Sequence, residues 1–540
     1  MASVLVPQGV AYAFLAGMPP IYGLYASLTA LLLYPLFSTS RFLAVGPVAL
    51  VSIILMSGLS GVAEPYSPDF VNLVLLTGLL SGIMQIALGM LNMGSLAKFL
   101  SKPVLKGFIT GAAVVIGISQ LKVLLGLDVP RGDTPLLSLY TALMSIGATH
   151  MWSAVLGLSG IAVILVLKKI NKYIPSYLLV VISGTITSYY MNLESAGVSV
   201  LGTLPKGLQS LSFSFLDVNN ILKVLPTAGV ISLICFISAY SIAKAFEEKQ
   251  TVKIVANREL LSLGFLKIVG SFFMAMPSSG SFSRSSVMAV SGAKSKVSYF
   301  VTAAIIVAVL LFLGKYLYYL PFPLLAAIII ASVVGLVDVD YAKKLFAFDK
   351  KELWQFMATF ILTVVFGVVT GIVMGVIISL LAVINKLSKP HYAVLGKLAN
   401  TNSFRNINRY SDVNQVDGTL IVRYDQNLFF GNCDHFYESM YEEVQCRKEL
   451  KKLIFHVGSV QTIDSTALEK VKDLISDCNK MEIRVVFTNM SGPMRDVFKR
   501  AGLFDELATD CFYLSVADAV DEICYPESEA FAQQYSQTKS

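Results

Sequence analysis

Apolar runs of about 20 residues, the length a helix needs to cross a bilayer, recur along the first 390 positions, broken by short joints rich in Gly, Pro or Lys. Basic residues gather in alternate joints: Arg41; Lys98, Lys102 and Lys106; Lys168, Lys169 and Lys172; Lys244, Lys249 and Lys253; Lys294 and Lys296; Lys343, Lys344, Lys350 and Lys351; Lys386 and Lys389. The joints between them hold acids such as Glu64, Asp69, Asp128, Asp133 and Glu194. Cytoplasmic loops concentrate Lys and Arg, so the basic joints are predicted to be cytoplasmic, and the alternation predicts about 14 membrane segments.

Beyond residue 390 the period changes. TLIVRYD, KKLIFHVGSV and EIRVVFTNM read as strands, and DHFYESMYEEVQCRKEL, DSTALEKVKDLISDCNKM and GPMRDVFKRAGL as helices. Strands alternating with helices predict one small α/β domain. The expected organisation is a membrane part over 1–390, a linker over 391–413, the α/β domain over 414–525 and a polar tail over 526–540.

Composition agrees. The 540 residues are 55% hydrophobic and 14% charged, with a mean hydropathy of +0.68. Lys and Arg number 26 against 13 Asp and Glu up to residue 390, and 16 against 22 after it. The net charge of +7 therefore belongs to loops beside lipid and gives no reason to expect nucleic acid. Five of the six cysteines lie in the polar part without C-x-x-C spacing, which reads as reduced cysteines of a cytosolic domain. No phosphate-binding glycine loop or dinucleotide fingerprint occurs, which argues against an ATP-driven pump within this chain. No paired acids, nucleophile elbow or metal-ligand spacing points to an enzyme, a metal or a cofactor, and the four histidines are scattered singly.

Two membrane segments depart from the pattern. In RFLAVGPVALVSIILMSGLSG, Gly46-Pro47 cannot sit inside a helix, but proline suits a first turn, so an extended piece and then a helix from near Pro47 are expected. In PSSGSFSRSSV, six serines and Gly280 disfavour helix before Phe282. The two enter from opposite faces, so their helix N-termini should meet near mid-membrane, as in inverted-repeat transporters. Arg284 is expected at that depth, where insertion costs on the order of 2.5 to 3.5 kcal/mol; the other reading puts it in a loop or snorkelling to an interface. The acids before residue 390, Glu259 among them, sit at joints or span edges, which leaves a bound anion as the simplest partner of Arg284. Two helix N-termini at about +0.5 each and the guanidinium give about +2, a match for a dianion, although a monovalent anion fits as well. Ser281, Ser283 and Ser285 offer hydroxyls to it.

VPQGVAYAFLAGMPPIYGLYASL, STSRFLAVGPVALVS, SIAKAFEEKQTVKIVANRELLSLG and GSFSRSSV resemble, in order, landmark motifs of the SulP family of sulfate permeases and anion exchangers. The likeness continues through the polar part, which resembles the STAS domain ending most members. It implies a polytopic α-helical membrane protein of about 14 segments in a 7+7 inverted repeat, the uracil-permease-like fold, plus a small soluble α/β STAS domain. It implies a secondary transporter of sulfate or another inorganic anion, with a transport domain moving elevator-fashion against a gate domain. A homodimer in the plasma (inner) membrane, a cytoplasmic STAS domain and regulatory proteins binding that domain go with it.

Carried over motif by motif, the anion site comprises Gln8, Tyr12, Val45, Gly46, Val48, Phe282, Ser283, Arg284 and Ser285; interhelical packing is the other reading of Gln8 and Tyr12. Many members carry a carboxylate where this chain has Ser238, at the position associated with proton or sodium coupling, so exchange or passive conduction is expected here. The family also begins well upstream of Met1, so a truncated first segment is expected. In IDSTAL, the resemblance makes Ser465 and Thr466 phosphorylation candidates, whereas the spacing Thr466 to Glu469 reads as a helix-capping box and Asp464 suits a helix start. Alternatives are a bicarbonate, chloride or dicarboxylate carrier, or a membrane-anchored STAS interaction protein without flux.

Overall fold

The computed structural model describes residues 1–94, 101–128, 134–171, 174–202, 210–247, 252–290, 293, 295–313, 316–507 and 511–524. The expected polar tail falls outside these residues, as do Lys98, Lys172, Lys249 and Lys294 of the basic joints. The chain divides into two compact units, Met1–Leu380 and Leu381–Ser540.

The first unit is helical. Its first half runs α1 (Ala2–Leu15), α2 (Ile21–Phe37), β1 (Val45–Gly46), α3 (Ala49–Leu59), α4 (Pro68–Met90), α5 (Lys102–Leu125), α6 (Pro135–Met144), α7 (Met151–Ile170) and α8 (Ser176–Tyr190). The second runs α9 (Ile221–Ala245), α10 (Ala256–Phe272), β2 (Ser279–Gly280), α11 (Phe282–Val290), α12 (Val297–Ala308), α13 (Phe322–Val333), α14 (Val339–Phe348), α15 (Lys350–Phe366) and α16 (Val368–Ser388). With the short α6 and α14 set aside, each half contributes seven segments, and each places a two-residue strand before its third. Among the described residues six helical stretches are long and apolar enough to cross a membrane. Serine caps and early prolines begin the longer ones: the Ser67 and Ser101 hydroxyls accept from Phe70 and Val104, with Pro68 and Pro103 in the first turn.

Packing follows the repeat. Helix α4 lies against α9 and α10, and its counterpart α12 against α1 and α2; α15 lies on α5, and α7 on α13. The apolar core is continuous through these helices. Close approach sets α1 on α2, because a Cβ at Gly23 would stand 1.9 Å from the Gly9 carbonyl oxygen. Outward positions on α7 and α8, such as Leu158, Val166, Ile182 and Ile186, are apolar and exposed, as a lipid-facing surface requires.

The second unit carries a seven-stranded sheet. Strands β6 (Thr419–Tyr424), β7 (Lys452–His456), β8 (Arg484–Thr488) and β9 (Phe512–Tyr513) run parallel, and β3 (Tyr392–Leu398) pairs antiparallel with β6. The expected linker is thus a region of strands: β3 pairs with β4 (Phe404–Asn406) and β5 (Val413–Asn414). Short, polar β4 and β5 lack the alternation that marks a strand, so their pairing was not legible. Side chains alternate across the sheet. Leu453, Phe455, Val485 and Phe487 pack under α17 (Cys433–Gln445), α18 (Ser465–Lys480) and α19 (Gly492–Arg500). Ile454 and Val486 face Val516, Ala519 and Val520 of the helix Val516–Cys524. Cys433, Cys478 and Cys511 are buried as free thiols, while Cys446 is exposed.

Candidate functional site

The two interrupted segments cross as the sequence predicts. Val45 pairs with Gly280 and Gly46 with Ser279, antiparallel. The Ser281 amide donates to the Ala44 carbonyl at 3.0 Å, and the Ala44 amide to the Ser285 hydroxyl at 2.9 Å. Helix α3 starts at Ala49, two residues beyond Pro47, and its N-cap Val48 is extended with no side-chain cap bond. Its first N–H groups thus have neither a carbonyl within the helix nor a capping side chain. Helix α11 starts at Phe282, which puts Arg284 in its first turn.

Arg284 is 1% exposed, the largest side chain among those fully buried. Nη1 donates to Oε1 of Gln8 at 3.1 Å and Nη2 to the Pro47 carbonyl at 3.0 Å. Nε is buried and has no partner, and no described carboxylate lies within ion-pair distance. Of five guanidinium N–H groups, two are engaged by the protein. A Cβ at Gly46 would come within 3.4 Å of Nη2, so the glycine admits the guanidinium to the N-terminus of α3.

The predicted residues differ in burial and partners. Gln8 is buried and bonded to Arg284. Val45 and Gly46 contribute main chain, and Val48 is half-buried at the cap. Tyr12 is buried and near Arg284, with its hydroxyl toward Ser332 of α13 and near Tyr177 of α8. Ser285 ties the two segments together, and as an acceptor it keeps its own proton to donate. Ser283 is exposed. Phe282 is 57% exposed and its ring lies 5.5 Å from that of Phe246, at the end of α9. Ser238 is half-buried on α9. A polar chain continues through the Tyr177 hydroxyl, which meets Ser332 Oγ at 3.2 Å and accepts from Lys168.

Glu259 is the residue whose role sequence reasoning missed. It is 0% exposed, and its carboxylate accepts from the Thr39 amide (2.9 Å), the Thr39 hydroxyl (2.5 Å), the Ser40 amide (3.3 Å) and the Tyr34 hydroxyl (2.7 Å). Tyr299 donates to the carbonyls of Arg41 and Leu43 nearby. These bonds fix the segment leading into β1. The signal was present: STSR and NREL hold complementary donors and an acid, but Glu259 reads as a span-edge charge.

In the α/β unit, Asp464 is the N-cap of α18. One of its oxygens accepts from the Ala467 amide at 2.9 Å and the other from the Phe430 amide at 2.8 Å. The capping box expected from Thr466 is not formed, because the helix already starts at Ser465. Ser465 and Thr466 stand exposed in its first turn.

Comparison with known proteins completes the picture. A family model described as the STAS domain matches residues 410–519, and one described as the sulfate permease family matches residues 1–359. The chain is 35% identical to the probable sulfate transporter 4.2 of Arabidopsis thaliana, over 96% of this chain and 79% of that one. The fold is that of the murine Slc26a9 anion transporter in its inward-facing state, with TM-score 0.89, 22% identity, and 99% and 90% of the two chains covered. It is also that of the transmembrane domain of the cyanobacterial bicarbonate transporter BicA, with TM-score 0.59, 20% identity, and 70% and 94% covered. The chain belongs to the sulfate permease family, as an integral membrane protein with a C-terminal STAS domain.

Proposed function

We propose that this chain is a secondary anion transporter, with sulfate its favoured substrate. The anion sits between the facing N-termini of α3 and α11, near Gly46-Pro47 and Ser283-Arg284, and an elevator-type movement exposes it to each side in turn. The observation carrying this reading is Arg284: fully buried, without a carboxylate among the described residues, and with Nε unpartnered. A buried charge without a counter-charge is costly, and a bound oxyanion supplies one. The free guanidinium N–H groups, the uncapped N–H groups of α3 and the Ser285 hydroxyl are a donor set for tetrahedral oxygens. The sulfate transporter name of the Arabidopsis relative favours the same substrate.

Membrane segments on either side of this crossing are packed in repeat-related pairs, which supports rigid-body movement of one group against the other. The basic joints favour a cytoplasmic α/β unit, while the plasma membrane and a homodimer rest on the family resemblance. A partner or a phosphate at Ser465 and Thr466 would meet an exposed helix N-terminus, which accommodates negative charge.

The test is uptake of labelled sulfate by proteoliposomes containing the full chain, with chloride, bicarbonate and dicarboxylates as competitors. Saturable uptake, competed most strongly by sulfate and insensitive to proton or sodium gradients, is expected. Uptake no faster than in empty liposomes would overturn the reading. A gradient-driven uptake would overturn the expectation drawn from Ser238, for which Ser238→Glu is the reverse test.

A further inference from the structure

A second cation is buried in the same bundle. Lys267, on α10, is 3% exposed. Its ammonium donates to Oε1 of Gln85 on α4 at 3.0 Å and faces the Cys235 thiol on α9. Gln85 is oriented for this by its own Nε2, which donates to the Ser232 carbonyl at 2.8 Å. Gln85 is 0% and Cys235 0% exposed, so the ammonium is shut away from solvent. No described carboxylate lies within ion-pair distance of Lys267.

Lys267 stands directly behind the crossing. The Cys235 carbonyl accepts from the Ser279 hydroxyl at 3.1 Å, and Ser279 pairs with Gly46, beside the Arg284 guanidinium. Cys235 also lies one helical turn from Ser238 on α9. The other buried ionic group of these helices, Glu259, lies in the first turn of α10 and interacts with Lys296, which bonds the Pro35 and Ser38 carbonyls. Lys296 in turn lies near Arg41, so this group holds its own cations. Among the described residues the buried cations are Arg284 and Lys267.

We infer that Lys267 is a second fixed positive charge of the anion site, acting from behind β2 and setting the preference for doubly charged oxyanions. It is a positioning residue, since Cys235 and Ser279 link it to the crossing. The inference rests on the anion-transport reading and adds the charge of the substrate. Two buried cations and one dianion make the loaded site neutral, so the loaded transport step itself carries no net charge across the membrane. A monovalent anion leaves one cation uncompensated.

The experiment is labelled-anion exchange in proteoliposomes containing the full chain. Half-saturation is compared for sulfate and chloride, and rates are compared at zero potential and under a potassium-valinomycin potential. Lys267→Met is expected to weaken sulfate relative to chloride by about tenfold, the effect of one nearby charge in a partly screened interior. It should also make sulfate exchange respond to potential, whereas Lys267→Arg keeps both properties of the parent. Ser238→Glu, a carboxylate one turn from Cys235, should shift the preference in the same direction and carries the test if Lys267→Met does not fold. An unchanged sulfate-to-chloride ratio in either neutralising variant overturns the inference. Absence of any anion exchange by the parent chain instead overturns the transport reading, and a parent that exchanges another dianion in place of sulfate supports the role of Lys267.

Discussion

Glu259 and Arg284 are both fully buried charges on neighbouring segments of one helical bundle, and the protein treats them in opposite ways. Glu259 receives four hydrogen bonds from Tyr34, Thr39 and Ser40. Arg284 receives two neutral acceptors and keeps Nε open. A charge held in this way fixes structure, because both carboxylate oxygens have fixed donors. An unsaturated one is held at a cost that a ligand can offset. The same contrast separates the two kinds of test.

The largest expected effect is on transport at Arg284. Arg284→Ala should reduce sulfate uptake by about 100-fold, equivalent to about 3 kcal/mol of charge-assisted hydrogen bonding. The thermal midpoint of the purified protein should stay unchanged or rise, because an uncompensated buried charge has been removed. Loss of folding in place of loss of transport would assign Arg284 to the structural class. Glu259→Ala should do the reverse and destabilise by about 3 to 5 kcal/mol, because four buried donors lose their acceptor. Thermal unfolding in detergent checks it, and Glu259→Gln, which retains one carbonyl oxygen, should recover part of the loss.

The crossing was legible where the backbone demanded particular residues. Gly46-Pro47 and the serines around Gly280 forbid a continuous helix, and the structure places strand and helix starts within two residues of the expected points. Side-chain surroundings were not legible: the motif does not say that Phe282 lies against Phe246 or that Ser283 is exposed. Lys267 passed unremarked because SLGFLKIVGSFF reads as a span whatever its single lysine does. Its meaning needed the Gln85 and Cys235 side chains of two other helices. In the α/β unit the alternating strands β6 to β8 and the Asp464 helix start were plain, whereas the capping box from Thr466 does not form because the helix already begins at Ser465.

Smaller effects sharpen the contrast. Gly280 lets β2 lie on α9, since a Cβ there would come within 3.1 Å of the Ala239 Cα and 2.7 Å of Leu43 Cδ1. Gly280→Ala should cost about 1 to 3 kcal/mol through overpacking, read as a lower thermal midpoint and slower uptake. Asp464→Ala should cost the α/β unit about 1 kcal/mol by removing the α18 cap, read as faster hydrogen exchange in the first turn of that helix.

His456 offers a pH test in the same unit. Burial is the main cause that lowers its pKa below the usual 6.5, and its Nδ1 is buried without a partner. The unfolded chain therefore takes up the proton first. The His456 contribution to stability is complete above pH 6.5 and is lost as pH falls through the lower folded-state value. Denaturant unfolding between pH 7.5 and 5 should show a decline that His456→Gln reduces; an unchanged slope would show that the ring is not held neutral.

The central claim is that the open side of Arg284 is occupied by an anion. Calorimetric titration of sulfate into the purified full chain and into Arg284→Gln, with folding of both confirmed by circular dichroism, tests it directly. The account predicts one saturable sulfate site per parent chain and at least about 100-fold weaker binding in the variant. Equal affinity in the two proteins would contradict it.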